Sequence, residues 1–468
     1  MSDRMPDRET CDRARLARDA RFDGRFFIAV RTTRIYCRPV CPVRPALAAN
    51  ITYFPTAAAA ASAGYRPCLR CRPEAAPGSP AWRGSAASVA RGMALIQRGY
   101  LDEHPVSDLA AALGIGARHL ARLFMDHVGA TPAALAATRR IHLAKTLIDQ
   151  TSLPMTEIAF AAGFASLRRF NAVLRATYGR PPSALRRRHE AAAGLALRLA
   201  YRPPYDWRGV ADALARDAIP GVARVDAAGW RRTIRIGPHA GRIAVRPLVG
   251  RPELLLTVAL PDNGRLAEIV ARVRVMFDLS LDPGALADHL RPLFPDAAAP
   301  EGLRLTGAWD GFEAAACALL ARRLGAAAAM PALAGIAARL GERVLGDAGE
   351  PDTVFPAPRT VCDATLDGVP PAAAVALQRL ASAVADGRIR FDPARPHAEL
   401  AATLSEAGGL DPRDATRVAM RVLAEPDVDP RLLVADPGAL PADPATLRPW
   451  GSYAATLLAR PLALPEAA

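Results

Sequence analysis

Four cysteines constrain the N-terminal part of this chain more tightly than any other feature: Cys37-x3-Cys41, then 26 residues, then Cys68-x2-Cys71. Two closely spaced pairs, each on its own turn, supply the four soft ligands that Zn2+ takes in a tetrahedron. Two disulfides are the competing use of such a set, and they belong to oxidising compartments. The opening residues, MSDRMPDRETCDRARLARDA, are charged throughout and have no apolar core, so the expected setting is cytoplasmic rather than secreted. The set therefore predicts one Zn2+ held by Cys37, Cys41, Cys68 and Cys71. Cys11, Cys317 and Cys362 stand alone. Most four-thiolate sites are purely structural, so the spacing leaves this one's purpose open.

The surrounding residues read RFDGRFFIAVRTTRIYCRPVCPVRP over 21–45 and NITYFPTAAAAASAGYRPCLRCRP over 50–73. With F-x-x-A-V-x-T-T-x-I-x-C-R-P-x-C as its core and R-P-C-x-R-C as its close, the segment resembles the N-terminal domain of Ada adaptive-response proteins from residue 20 to 73. In that family the first cysteine of the set attacks the methyl group of a methylphosphotriester in DNA. The resemblance thus implies Cys37 as the methyl acceptor, with Cys41, Cys68 and Cys71 completing the site. Four thiolates on one Zn2+ carry a formal charge of −2 and stay electron-rich, which suits attack on a methyl carbon. Transfer leaves a thioether and a charge of −1, so repulsion of DNA phosphates falls and methylation can act as an affinity switch. Arg44, Arg66, Arg70 and Arg72 flank the cysteines and, as a group, suit a phosphate backbone.

Charge supports a DNA partner for this end of the chain. Residues 1–190 hold 29 Lys and Arg against 14 Asp and Glu, a net +15, whereas the remainder holds 31 against 32, a net −1. An Arg-rich composition alone would spread the excess evenly. At 468 residues the chain is expected to form roughly three or four domains, and no stretch approaches the ~20 apolar residues of a membrane span.

Pro73 to Pro80 (PEAAPGSP) reads as a linker, and residues 86–190 as a run of amphipathic helices, with Val89, Met93, Ile96 and Tyr100–Leu101 on one face. Ser107 is expected to cap SDLAAAL, Gly114 to break it, and ARHLARLFMDHVG to follow, stopped by Gly129; Thr131-Pro132 opens the next helix. The pattern repeats with Thr156 as the cap, Gly163 at the turn, and ASLRRFNAVLRATYG as the second long helix. Two helix–Gly–helix units joined by the helix around RRIHLAKTLI, closed by Gly179–Pro182, resemble the AraC-type DNA-binding domain. The resemblance implies that each second helix enters a major groove. The candidate base contacts are Arg118, His119 and Arg122 in the first, and Arg168, Arg169 and Asn171 in the second. Leu120, Phe124, Ile158, Phe160, Phe164 and Phe170 are assigned to the core. Arg186-Arg187-Arg188 reads as a solvated end to the domain.

From residue 195 the texture changes. LALRLAYRPPYDW precedes TIRI, GRIAVRP and LLLTVAL, which read as strands, and WDGFEAAACALLARRLGAAAA (309–329) opens an all-helical stretch. With VFPAP at 354–358 and RPWGSYA at 448–454, this half resembles AlkA-type alkyladenine DNA glycosylases. The family's P-G-I-G-x-W-T-A hairpin, whose glycines let backbone N–H groups approach a phosphate, is here Gly408-Gly409-Leu410-Asp411-Pro412-Arg413-Asp414-Ala415. Carrying the register on through 417–427 places the family's catalytic Asp at Leu433, and the L-G-Q-Q segment at Leu320-Ala321-Arg322-Arg323. Without a carboxylate the main electrostatic support for a departing base is missing, unless Asp427, Asp429 or Asp436 replaces it. Trp207 and Trp450 suit core packing better than a cleft.

The expected fold is a multidomain α+β chain. It comprises a small four-cysteine zinc domain (1–76), an all-α double helix-turn-helix domain (86–190), an α+β AlkA-like subdomain (195–300) and an all-α helix-hairpin-helix glycosylase fold (301–468). The expected function is an alkylation sensor. It transfers a methyl group to Cys37 and binds double-stranded DNA at alkylated phosphates and promoter sites. It activates transcription with RNA polymerase as partner, works at the nucleoid, and carries a degenerate glycosylase half. The alternative is an active 3-methyladenine glycosylase with an N-terminal targeting half, and a plainer one is a zinc-stabilised regulator without methyl transfer. Neither Cys317 nor Cys362 lies in the Pro-Cys-His setting of the second acceptor of Ada proteins, so repair of O6-methylguanine is not expected.

Overall fold

The computed structural model describes residues 5–71, 73, 76, 87–186, 195–294, 301–346 and 349–459. Arg72, most of the 73–80 linker and Arg187–Arg188 lie outside them. The chain divides into two compact units, one of residues 1–203, 231–274 and 279–281, the other of 204–230, 275–278 and 282–468. Among the described residues no helix is long and apolar enough to cross a membrane.

The first unit begins with α1 (Arg8–Ala17), capped by the Asp7 carboxylate, which accepts from the Thr10 N–H at 2.7 Å. A four-stranded sheet follows, built from β1 (Phe27–Val30), β2 (Ile35–Cys37), β3 (Ile51–Phe54) and β4 (Arg66–Pro67) in the order β3-β1-β2-β4. Strand side chains alternate between faces. Phe27, Ala29 and Tyr36 pack with Ala57, Ala60 and Tyr65 around α2 (Ala57–Ser62), while Ile28 and Ile51 pack with Cys11 and Ala14 of α1. Cys37 lies against the second cluster, so the metal-bearing end of β2 and its neighbour Tyr36 face opposite ways.

Eight helices form the next part: α3 (Ala87–Gln97), α4 (Tyr100–Glu103), α5 (Val106–Ala112), α6 (Ala117–Val128), α7 (Pro132–Gln150), α8 (Met155–Ala161), α9 (Leu167–Tyr178) and α10 (Pro182–Leu185). The two helix-turn-helix pairs are α5–α6 and α8–α9, with α7 between them. Thr131 caps α7 as expected, accepting from the Ala134 N–H at 3.2 Å. Ser107 and Thr156 do not cap their helices. Pro105 and Pro154 take the N-cap position instead, so each helix starts two residues earlier and the hydroxyl falls inside its first turn. Leu120, Phe124, Ile158, Phe164 and Phe170 are buried, but Phe160 is half exposed: Ile158 and Ala161, one turn apart, take the inner face of α8 and leave it outside. Gly163 has φ +88°, and a Cβ there would lie 2.4 Å from the Asp102 carboxylate. That carboxylate, 2.6 Å from Arg140 Nε and also paired with Arg139, ties α4 to α7 at the second turn.

Beyond residue 195 come β5 (Leu195–Ala200), α11 (Trp207–Ala215), β6 (Ala223–Asp226), β7 (Gly229–Ile236), β8 (His239–Pro247), β9 (Glu253–Ala259), α12 (Leu266–Met276) and α13 (Pro283–Leu290). The three expected strand segments lie in β7, β8 and β9. Strands β5, β9, β8 and β7 are sheet neighbours in that order.

In the second unit, Trp207 stacks on Phe277 at 6.0 Å and Trp230 meets the same ring edge-on at 5.4 Å. The helices are α14 (Gly311–Leu324), α15 (Ala326–Leu340), α16 (Pro358–Cys362), α17 (Pro371–Ala385), α18 (His397–Glu406), α19 (Pro412–Leu423) and α20 (Gly451–Leu458), with a short pair of strands, β10 (Glu342–Arg343) and β11 (Thr353–Val354). Leu320, Leu333, Ile336, Leu377, Leu380, Leu404 and Ala415 form their common core.

Candidate metal centre and nucleic-acid interface

The sheet brings the cysteines together from two strand ends. Strands β2 and β4 run parallel, so Cys37 and Cys68 leave the sheet side by side, and the Cys68 N–H donates to the Tyr36 carbonyl at 3.0 Å. Each strand then turns. The Cys41 N–H closes the first turn on the Arg38 carbonyl at 3.1 Å, and Cys71 ends the second. All four Sγ atoms lie within 4.8 Å of one another, and all four thiols are free. A tetrahedral Zn2+ with its usual sulfur distances sets sulfurs about 3.8 Å apart, so this donor set fits the ion with small side-chain adjustments.

The sulfurs differ in surroundings. Cys68 and Cys71 are buried; Cys37 and Cys41 are half-buried. The Arg38 N–H donates to Cys71 Sγ at 3.3 Å and the Arg70 N–H to Cys68 Sγ at 3.4 Å. No N–H among the described residues donates to Cys37 Sγ. Hydrogen bonding from Cys37 holds Cys68 far below the usual thiol range and draws Cys41 down to about 7, while Cys37 and Cys71 are pushed up. A dication held by Cys37, Cys41, Cys68 and Cys71 would supply the positive charge that keeps the sulfurs anionic.

Two residues not singled out from sequence brace this centre. Buried Asp23 pairs with Arg38, accepting from its Nε at 2.9 Å, and Arg38 Nη1 donates to the Cys71 carbonyl at 3.2 Å. One arginine therefore holds Cys71 through both side chain and main chain, an outer-shell role of the kind that orients ligands. Its place inside the C-R-P-x-C motif was the available signal; Asp23, distant in sequence, gave none.

Arg44, Arg66 and Arg70 are all exposed around the cysteines. On α6, Arg118, His119 and Arg122 are exposed, with Arg122 Nη2 3.1 Å from His119 Nδ1. On α9, Arg168, Arg169 and Asn171 are exposed near the N-terminal end, where Ser166 caps the helix by accepting from the Arg169 N–H at 3.2 Å. Each set thus faces solvent on the second helix of its pair, as a groove-reading helix requires.

In the second unit Leu433 is buried in an apolar cluster with Met420, Val428, Val434 and Ala455. The nearby carboxylates are engaged. Asp427 accepts from Arg448 Nε at 2.8 Å, Asp429 pairs with Arg431 at 2.5 Å, and Asp436 accepts from the Gly438 N–H at 2.8 Å. Trp450 is buried and meets Tyr453 edge-on at 5.4 Å, a packing role.

Three family models match the chain: the metal binding domain of Ada over residues 10–74, a helix-turn-helix domain over 109–188 and the AlkA N-terminal domain over 196–310. It is 40% identical, over 25% of its length and 32% of the relative's, to the "Bifunctional transcriptional activator/DNA repair enzyme Ada" of Escherichia coli. It is 29% identical, over 55% of its length and 94% of the relative's, to the "DNA-3-methyladenine glycosylase 2" of the same organism. To the "Probable bifunctional transcriptional activator/DNA repair enzyme AlkA" of Mycobacterium tuberculosis it is 38% identical, over 96% of its own length and 95% of the relative's. The four-cysteine centre is a zinc site, joined in one chain to a DNA-binding helix-turn-helix part and a glycosylase-like half. Aligned with the mycobacterial protein along nearly the whole of both, the chain belongs to the family of bifunctional transcriptional activator/DNA repair enzymes.

Proposed function

We propose that this chain senses DNA alkylation by taking the methyl group of a DNA methylphosphotriester onto Cys37, irreversibly, and responds by binding promoter DNA and activating transcription. The observation that carries this reading is the inequality of the sulfurs. Cys68 and Cys71 accept N–H groups and are buried; Cys37 is half-buried and accepts no N–H among the described residues. A hydrogen bond to a thiolate stabilises its charge and lowers its basicity, so the sulfur without one is the stronger nucleophile.

In the proposed step a lone pair on Cys37 Sγ forms the S–C bond to the methyl carbon as the C–O bond breaks. The electron pair of that bond stays on the phosphate oxygen, so the triester becomes an anionic diester and the thiolate a thioether. Zinc, when bound, supplies the positive charge that keeps the sulfurs deprotonated at neutral pH. The centre's formal charge moves from −2 to −1, and its repulsion of neighbouring phosphates falls.

Arg44, Arg66 and Arg70 hold the backbone in this reading, and Arg118, His119, Arg122, Arg168, Arg169 and Asn171 meet base edges. Four domains divide the work, at 1–76, 86–190, 195–300 and 301–468, with RNA polymerase as the partner in activation and the nucleoid as the place of action. Base excision by the glycosylase-like half is lost or greatly reduced in this reading, because Leu433 stands where the carboxylate belongs. Mass spectrometry after incubation with a methylphosphotriester duplex tests the central claim. One added methyl on the Cys37 peptide is expected, absent in Cys37→Ser; an unmodified wild-type peptide overturns it.

A further inference from the structure

Tyr36 stands between the zinc centre and the DNA-reading helices. Its main chain precedes Cys37, and its carbonyl receives the Cys68 N–H. Its side chain points to the other face of β2, is 1% exposed, and places the hydroxyl 3.0 Å from His142 Nε2 on α7. The contact between the two parts is continuous around this bond. Helix α2 lies along α7, β4 lies beside α9, and Thr56 Oγ1 donates to the Val128 carbonyl at 3.4 Å where α6 turns into α7. At that turn a Cβ on Gly129 would meet Ala59 and Pro55 at 3.4 and 3.5 Å, so the surfaces are in close contact. Desolvation pushes the His142 imidazole down to about 4, so the bond joins a neutral imidazole to a phenol.

We propose that Tyr36 and His142 are positioning residues, a latch that fixes the zinc centre on α7 so that Cys37 and the reading face of α9 engage one duplex as a single preorganised surface. The inference rests on Cys37 being the methyl acceptor. Docked parts present their phosphate and base contacts in a fixed register and bind without first ordering a tether; undocked, they become two linked modules governed by effective concentration. Relief of charge at Cys37 then improves contacts that the second helix-turn-helix already aligns. Loss of the latch separates the two events: methyl transfer continues, but sequence-specific affinity no longer follows it.

The test uses the full chain and a duplex recovered from a random-sequence pool by the methylated wild type. Affinity for it is measured before and after stoichiometric methylation, for wild type, Tyr36→Phe, His142→Ala and His142→Gln. Zinc content and the rate of methyl transfer to a short methylphosphotriester duplex of unrelated sequence are followed in parallel. Wild type is expected to gain affinity on methylation. Tyr36→Phe and His142→Ala should keep zinc and the transfer rate but lose about tenfold of that gain, the scale of one buried hydrogen bond together with the docking it maintains. His142→Gln, which restores a polar partner, should recover most of it. An unchanged gain in both variants overturns the latch while leaving Cys37 as acceptor. A wild type that takes up no methyl group overturns both.

Discussion

Arg322 of α14 pairs with Asp411 at 3.0 Å, and its Nε donates to Asp414 at 2.8 Å, across the hairpin between α18 and α19. Asp411 is also the N-cap of α19, accepting from the Arg413 N–H at 3.0 Å. A helix N-terminus that grips a DNA phosphate must leave its N–H groups free. Here a carboxylate takes that place and a guanidinium balances it. Leu433 is buried as well, so neither a free helix N-terminus nor a carboxylate stands at these two positions, which supports the proposed loss of base excision. The expected outcome is that wild type releases 3-methyladenine from alkylated DNA no faster than the spontaneous rate, followed by chromatography of the free base. Asp411→Ala should cost about 1 kcal/mol through loss of the cap, read from urea unfolding. Release that depends on Asp427, Asp429 or Asp436 would contradict the excision claim.

A second prediction concerns how α1 is held on the zinc domain. Tyr53 Oη donates to Asp12 Oδ1 at 2.6 Å, and Arg15 Nε donates to both at 2.9 Å. The Tyr53 hydrogen bond, foremost, holds Asp12 below the usual carboxylate range, and burial pushes the Tyr53 phenol well above its ordinary range. A depressed carboxylate stabilises the fold above its unfolded pKa, and that contribution disappears as pH falls through the native value. A raised phenol contributes below its ordinary value of 10.0, and the contribution is lost as pH rises above that value toward the native one. Stability of α1 should therefore be level from mildly acidic pH to the phenol's ordinary value and decline on both sides. Tyr53→Phe should lower it by about 1.5 kcal/mol and flatten the acid limb, as measured by limited proteolysis within Arg8–Ala17 across urea and pH series.

What sequence made visible here was local. Cysteine spacing marks a metal site because two ligands on one turn must lie close together, and alternating side chains marked β7, β8 and β9. The glycines at 114 and 163 marked the helix-turn-helix corners because left-handed backbone there excludes other residues at little cost. Pairings between distant segments have no such signature. Asp23 with Arg38 and Tyr36 with His142 follow from how strands and α7 pack, which no local period records. The capping expectation failed at Ser107 and Thr156 for a local reason of another kind: a preceding proline also fits the N-cap conformation and claimed it. Phe160 reads as core because it is apolar, although its position on α8 turns it outward.

The recognition helices give a third prediction. Arg168, Arg169 and Asn171 are exposed on the first turns of α9, as are Arg118, His119 and Arg122 on α6. Arg168→Ala or Arg169→Ala at a base edge should cost about 1–3 kcal/mol on the preferred duplex, with little loss on random DNA. Arg44→Ala and Arg66→Ala, assigned to the backbone, should weaken all duplexes alike and each reduce the slope of log affinity against log salt by about 1. Fluorescence anisotropy over a salt series separates the two classes. If the α9 variants lose equally on every sequence, they contact phosphate and not bases.

Zinc affinity and methyl uptake, measured together, separate the roles of the cysteines. Cys37→Ser and Cys41→Ser each leave three thiolates, and each should weaken zinc on the order of a hundredfold, one ligand's share of the binding free energy. Their effects on chemistry should differ, because only one of these sulfurs makes the new bond. In Cys41→Ser the attacking Cys37 is intact, and methyl uptake falls only as far as the site empties; saturating zinc should restore it. In Cys37→Ser no zinc concentration should restore it, since a serine hydroxyl stays protonated at neutral pH and is a poor nucleophile without a base beside it. Methyl stoichiometry by mass spectrometry across a zinc series checks this. Recovery of uptake by Cys37→Ser at high zinc would move the acceptor to Cys41, the other half-buried sulfur of the set.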